Sequence, residues 1–419
     1  MKDFDLRPVE LDEVDAFAAC QASAFGHRHT AEQLANLAEE LVVARSLAVL
    51  DHGEIVGTAN SHVELMTLPG LSRCDVAAVT EVSVAPTHRR RGLLTSMMRR
   101  QLDDLRDGHE PLAVLLASEG SIYARFGYGV ATFAARYLVD KRRARLSAPV
   151  APPDGSGSPG GAGSVRLVDR AQAVESFPLV FNEYLPTRVG ELNRLNGDWG
   201  EVLGEPSGES EDTRSRFFAC FEQDGRIDGY AVYRVAPIDP IDRYRRAVFL
   251  DDFCSLTDAA YMSLWRYLLG IDLVAELRTG PRPIDEPVRF ALEDLRQLQT
   301  AALGDRTWVR LVDVPVALAM RGYADSGELI LEVTDPFCPW NEGRFRLTVD
   351  GGGDAEVERV NSTPDLVLPV DALGATYLGG VRFRALAQIG RIVERTQGSL
   401  ERADRLFNEQ RPPFCTTAF

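Results

Sequence analysis

The stretch Val82-Ser83-Val84-Ala85-Pro86-Thr87-His88-Arg89-Arg90-Arg91-Gly92-Leu93-Leu94-Thr95 constrains this chain more than any other. A short apolar strand runs into a proline turn. Three arginines and a glycine follow, and an amphipathic helix then opens. In that order the N-terminus of a helix lies at the end of a sheet strand. The unpaired N–H groups of its first turn and the positive end of the helix dipole favour an anion there. The glycine lets the backbone approach the ligand, and the arginines surround it with positive charge. A pyrophosphate suits such a site. Beyond it Leu94, Met97, Met98, Gln101, Leu102 and Leu105 recur at helical spacing, with Arg99, Arg100, Asp103 and Asp104 on the other face.

The rest of the first segment alternates strands and helices. Phe4–Arg7 reads as a strand and Asp12–Phe25 as a helix. Ser46–Leu50 and Glu54–Ala59 form a hairpin around Asp51-His52-Gly53. Leu112–Ala117 is a continuous apolar strand, the pattern of one buried on both faces. Ala151–Ser164 is nearly all Pro, Gly, Ser and Ala, and reads as a linker. After it the pattern repeats. Val165–Val168 and Ala171–Tyr184 echo the chain start, Cys220–Ala231 echoes the hairpin, and Val248–Phe253 precedes a helix at Asp258–Leu269. The matching loop, Cys254-Ser255-Leu256-Thr257, has neither arginine nor glycine, as expected of a second copy that has lost the anion site. From about Thr307 the pattern becomes α+β with an antiparallel sheet. The expected division is 1–150, a linker at 151–164, a second copy at 165–300 and a third domain at 301–419.

Length and composition agree with several globular domains, at roughly 150 residues each. The chain has 419 residues, 45% of them hydrophobic and 26% charged. Its formal net charge of −16 argues against nucleic acid and against an anionic membrane surface as partners. The six cysteines are scattered without metal-ligand spacing, as reduced cytosolic thiols would be. There is no signal-peptide pattern and no apolar run of the ~18 residues that a membrane span needs, so a cytoplasmic protein is expected. All six histidines lie in the first segment. The only close pair, His27 and His29, reads as an exposed loop, and the basic run Lys141–Arg145 as a solvated strand end.

A second cluster, Ala117-Ser118-Glu119-Gly120-Ser121-Ile122-Tyr123-Ala124-Arg125-Phe126-Gly127-Tyr128-Gly129, follows the buried strand and opens a short helix. A tyrosine phenol presented there can act as a proton donor, and Tyr123 is so placed. Tyr128 reads as structural. The arginine loop resembles that of the GNAT acyltransferases, although leucine stands at Leu94 where the superfamily pattern has glycine or alanine. Together, the two clusters resemble the Eis (enhanced intracellular survival) N-acetyltransferases, and the resemblance covers the whole chain. It implies two tandem GNAT folds, the second degenerate, followed by a sterol-carrier-protein-like domain: an α/β and α+β multidomain protein.

The resemblance further implies acetyl-CoA as cosubstrate, with no metal, and an amine acceptor such as an aminoglycoside or a lysine side chain. The backbone at Val82, Ser83 and Val84 would pair with the pantetheine. Arg90, Arg91, Gly92, Leu93, Leu94 and Thr95 would wrap the pyrophosphate, with Arg89 at the rim. Ser118 and Glu119 would line the coenzyme groove, and a bulge N–H near Val82 would polarise the thioester carbonyl. Tyr123 would be the general acid. The base would be the carboxylate of the final residue, Phe419, although this chain ends Thr417-Ala418-Phe419 where family members often end Ala-Phe-x-Phe. Glu81, beside the coenzyme strand, is a rival base or an attractor of amines, at a position that is hydrophobic in a family member. A homo-hexamer is also implied. The alternative from another class is a carrier of apolar ligands that uses the third domain, with the GNAT part regulatory.

Overall fold

The computed structural model describes residues 4–26, 34, 37, 41–147, 163–204, 216–239 and 244–419, with the side chains of 196 and 197 excepted. The expected His27–His29 loop and most of the linker lie outside the described residues. The strands of the first segment are β1 (Asp5–Pro8), β2 (Leu47–Asp51), β3 (Glu54–Thr67), β4 (Arg73–Val84), β5 (Leu112–Leu116), β6 (Gly129–Val130) and β7 (Phe133–Asp140). Next come β8 (Ser164–Val168), β9 (Arg216–Gln223), β10 (Arg226–Pro237), β11 (Arg246–Ser255), β12 (Glu276–Thr279) and β13 (Leu298–Asp305). The last are β14 (Thr307–Leu311), β15 (Gly327–Thr334), β16 (Gly343–Val349), β17 (Ala355–Val360), β18 (Leu366–Pro369) and β19 (Val393–Glu394).

The chain forms two compact units, residues 1–132 with 305–419, and residues 133–304. In the first unit one sheet runs β1-β2-β3-β4-β5-β14-β6 and another β17-β16-β15-β18-β19. In the second unit the sheet runs β13-β7-β12-β11-β10-β9-β8. Chain order and sheet membership therefore differ. β7 precedes the linker but belongs to the second sheet, and β14 follows the second copy but belongs to the first. An apolar strand reads the same whichever sheet it joins, so spacing alone cannot assign it.

The helix Leu93–Asp107 crosses between the parallel strands β4 and β5 and buries Met97, Met98, Gln101, Leu102 and Leu105 of the stripe read from its spacing, with Leu93 rather than the half-buried Leu94 at its start. β5 is a central strand between β4 and β14, and its first four residues are buried, in keeping with its unbroken apolar run. All six cysteines are buried and none is in a disulfide. No helix of the described structure is long and apolar enough to cross a membrane.

The third region meets the first sheet backbone to backbone. A Cβ on Gly129 of β6 would lie 1.9 Å from the carbonyl oxygen of Asp371, and one on Gly374 would lie 2.4 Å from that of Val309. Only glycine lets the helix Val370–Tyr377 lie this close to β6 and β14. Gly127 has φ +86, and a Cβ there would meet the Arg310 guanidinium at 2.7 Å. The motif Phe126-Gly127-Tyr128-Gly129 thus encodes a docking surface, and Tyr128 is wholly buried in it. Beneath it Arg310 Nη2 donates to Asp335 Oδ2 at 2.6 Å, with both side chains inaccessible. Asp335 also accepts from Asn341 Nδ2 at 3.0 Å and from the Cys338 amide at 3.0 Å. Asp335→Ala leaves a buried charge uncompensated and should destabilise the fold by about 3–5 kcal/mol. Urea denaturation would check this, and a loss below about 1 kcal/mol would contradict it.

Candidate active site

Two strands that part company form the cleft. β4 pairs with β5 only at Ala77, Ala78 and Val79, and then runs on to Val84. Its other edge stays zipped to β3, with Thr58 opposite Ser83 and Gly57 opposite Val84. The β3–β4 register slips between Thr58 and Asn60, and Glu81 in the bulge has φ 55. Past Val79 the backbone of Val82, Ser83 and Val84 therefore borders a gap that an extended ligand can enter as an added strand. Ser83 contributes backbone alone, because its hydroxyl is buried and bonded to Thr58 Oγ1 at 2.7 Å.

The arginine loop closes one end of this gap. Arg89, Arg90, Arg91 and Gly92 are exposed. Arg90 has φ 62 and Gly92 φ 85, so the chain turns through two left-handed residues just before the helix. Gly92 is the N-cap, and no side chain caps the helix. Its first-turn N–H groups are open to an anion. Arg91 Nη2 donates to the Thr87 carbonyl at 3.1 Å, which folds that side chain back over the loop. Leu93 faces the core, so it too can offer only its backbone N–H, whereas Thr95 is exposed. Sequence reasoning missed His88, whose Nε2 lies 3.1 Å from Asp51 Oδ2 and braces the loop against the β2–β3 turn. Its signal was the Asp51-His52-Gly53 turn itself, read only as a hairpin.

Tyr123 lies past the end of β5 and is buried at 5% exposure among Phe126, Tyr128 and Trp308. Its ring meets Tyr128 edge-on at 6.0 Å between centroids. Burial holds the Tyr123 phenol above its ordinary pKa, a hydrogen bond with Ser118 opposes this, and the Glu119 carboxylate adds to it. Ser118 and Glu119 are exposed beside the buried phenol. The hydroxyl thus carries its proton at neutral pH next to a polar, open rim. Trp308 comes from β14 and could not be placed here from spacing.

The C-terminal tail is held by a residue that sequence reasoning also missed. Arg306 Nε donates to the Cys415 carbonyl at 3.2 Å, and its Nη2 donates to those of Thr416 and Thr417 at 2.9 Å each. Phe414, Cys415 and Thr417 are buried, and Phe419 is half-buried. Arg306 directly precedes β14, and its amide bonds the Thr132 carbonyl at 2.9 Å, next to β6. The tail backbone is therefore fixed to the sheet that carries the cleft.

The second copy lacks these openings. Thr257 caps its helix, Oγ1 accepting from the Ala260 amide at 3.1 Å, so one first-turn N–H that an anion would need is already taken. β11 parts from β12 after Leu250, and Arg282 fills the space beyond. Its Nη1 donates to the Phe253 carbonyl at 3.2 Å and its Nε to Glu286 at 2.8 Å.

The domains resemble those of known proteins. Models of the acetyltransferase (GNAT) domain match residues 5–131 and 190–311, and a sterol carrier protein domain model matches 314–416. An uncharacterized N-acetyltransferase of Streptomyces coelicolor is 39% identical over 418 residues, 99% of either chain. N-acetyltransferase Eis of Mycobacterium tuberculosis is 35% identical over 373 residues, 87% of this chain and 86% of that one. The crystal structure of Eis1 from Mycobacterium abscessus superposes with a TM-score of 0.84 at 33% identity and covers 100% of both chains. With two GNAT folds, a sterol-carrier-like domain and this similarity along its length, the chain belongs to the Eis-like family of GNAT N-acetyltransferases.

Proposed function

We propose that this acetyltransferase takes its acetyl group from acetyl-CoA and delivers it to amines of polycationic acceptors, aminoglycosides and lysine side chains among them. The observation that carries the reading is the parting of β4 from β5 at Val79, with the uncapped helix start and three exposed arginines beyond it. In this reading the backbone of Val82, Ser83 and Val84 holds the pantetheine. Arg90 and Arg91 and the backbone of Gly92, Leu93, Leu94 and Thr95 hold the pyrophosphate. Ser118 and Glu119 line the groove.

Acetyl-CoA supplies the acyl group as a thioester. Tyr123 gives its proton to the departing thiolate sulfur. The Phe419 carboxylate takes a proton from the acceptor nitrogen, which must be neutral to attack. The capped, Arg282-filled second copy supports assigning the chemistry to the first GNAT fold alone. The reading also carries a homo-hexameric assembly, on the family resemblance.

The test is acetyl-CoA-dependent thiol release with an aminoglycoside and with a lysine-rich peptide. Thiol release that requires the acceptor and gives an acetylated product by mass spectrometry is expected. Tight acetyl-CoA binding without transfer to either acceptor would refute the acceptor class.

A further inference from the structure

One loop of the sterol-carrier-like domain, Asp335 to Asn341, reaches both halves of the proposed site from within the same compact unit. It is tied at each end. The buried pair of Asp335 with Arg310 fixes its start, and the Cys338 amide donates to Asp335 Oδ1 at 3.0 Å. At its end Asn341 Nδ2 donates to the Leu311 and Val312 carbonyls at 3.2 and 3.1 Å. Trp340 Nε1 donates to the same Val312 carbonyl at 2.9 Å. Phe337 lies between these ties, so its place relative to β14 is set.

On one side Phe337 meets the helix Leu93–Asp107. The Arg99 guanidinium carbon lies 3.9 Å from the centre of the Phe337 ring. The next residue, Arg100, pairs with Asp104 four positions on at 2.8 Å. Arg99 has Asp103 at the same spacing, yet among the described residues it makes no ion pair and lies over the ring instead. Two turns further along, Arg106 lies 4.6 Å from the centre of the Trp340 ring. On its other side Phe337 meets Phe126 edge-on, at 5.0 Å between centroids and 63° between planes. Phe126 belongs to the turn of Tyr123. The amides of Phe126 and Tyr128 donate to the Tyr123 carbonyl at 3.0 and 3.3 Å, so Phe126 cannot shift without carrying Tyr123 with it.

The helix begins at the proposed pyrophosphate site, and the turn carries the proposed proton donor to the sulfur at the other end of the pantetheine. The spacing of helix and turn therefore sets how far the phenol stands from that sulfur. Misplacement by 1 Å can cost about 10²-fold in such a step. We infer that Phe337 is a positioning residue for catalysis, which locks the Tyr123 turn to the coenzyme helix and so aligns the phenol with the thioester sulfur. This rests on the proposed transfer from acetyl-CoA, and it gives the third domain a part in the chemistry besides its terminal carboxylate.

The test is a double-mutant cycle on the intact protein, read as kcat for acetyl-CoA-dependent thiol release. Phe337→Ala should lower kcat about 10- to 100-fold in the wild-type background. In a Tyr123→Phe background, where no phenol remains to be aligned, the same change should cost less than about 3-fold. The KM for the acceptor should stay within about 2-fold throughout, and Phe337→Tyr, which keeps the ring, should restore most of kcat. Phe337→Leu fills much of the space without an aromatic face. It should fall between Ala and wild type, and it carries the cycle should the Ala variant not fold. Equal losses in both backgrounds would overturn the inference, because Phe337 would then act on the fold and not through Tyr123. So would a wild-type kcat in Phe337→Leu and Phe337→Ala alike. Absence of thiol release in the wild type itself would defeat the acetyl-CoA reading, and the inference with it.

Discussion

Removing Phe419 should lower kcat about 10²- to 10³-fold while leaving the KM for acetyl-CoA nearly unchanged. The tail up to Thr417 is fastened independently of its last residue, through the three carbonyls that Arg306 holds. The truncated chain therefore keeps its anchor, and its new carboxylate at Ala418 falls short by roughly the 3.3 Å rise of one extended residue. In the proposed mechanism that carboxylate removes the proton from the acceptor amine, so the chemical step suffers and coenzyme binding does not. Arg306→Met should reproduce a smaller part of the defect, because it loosens the tail without shortening it. Steady-state kinetics with both substrates varied decide the matter. Undiminished turnover after truncation would pass the base role to Glu81 or to water.

Tyr123→Phe should cost about 10²- to 10⁴-fold in kcat, the range of a general acid, with little loss of stability. The ring packs among Phe126, Tyr128 and Trp308 whether or not it bears a hydroxyl. Its pH dependence has a definite sign. Burial raises the Tyr123 pKa, so the proton-bearing, active form persists to higher pH than an ordinary tyrosine would allow. The alkaline loss of activity should therefore lie above about pH 10, the ordinary tyrosine value. Glu119→Gln removes a carboxylate that raises the phenol, and should move that limb downward. A Tyr123→Phe variant with wild-type kcat, or an alkaline limb well below pH 10, would exclude the role.

Much of the architecture was legible because it depends on local pattern. The stripe on Leu93–Asp107 follows from helical spacing, and the turn at Asp51-His52-Gly53 from its residues. The unbroken apolar run Leu112–Leu116 announced a strand buried on both sides. The second copy could be recognised from Ile227-Asp228-Gly229, which repeats the spacing of Ile55-Val56-Gly57, and its lost anion loop from Cys254-Ser255-Leu256-Thr257. The arginine run before the helix was also legible, and Arg89, Arg90 and Arg91 are exposed. Leu93 shows the limit. It was read as a residue that would wrap the pyrophosphate, but its side chain faces the core and leaves only its backbone for a ligand.

The sequence by itself determined many of the strands and helices, and where the exposed arginine run lies, since each of these depends on residues near one another in the chain, but it did not announce β7 or β13. Only the tertiary structure decided which strands share a sheet. β14 completes the first sheet and β7 the second, because strand pairing joins backbone groups that carry no label of their origin. The same long-range pairing brings Trp308 beside Tyr123 and places Arg306 where it holds the tail.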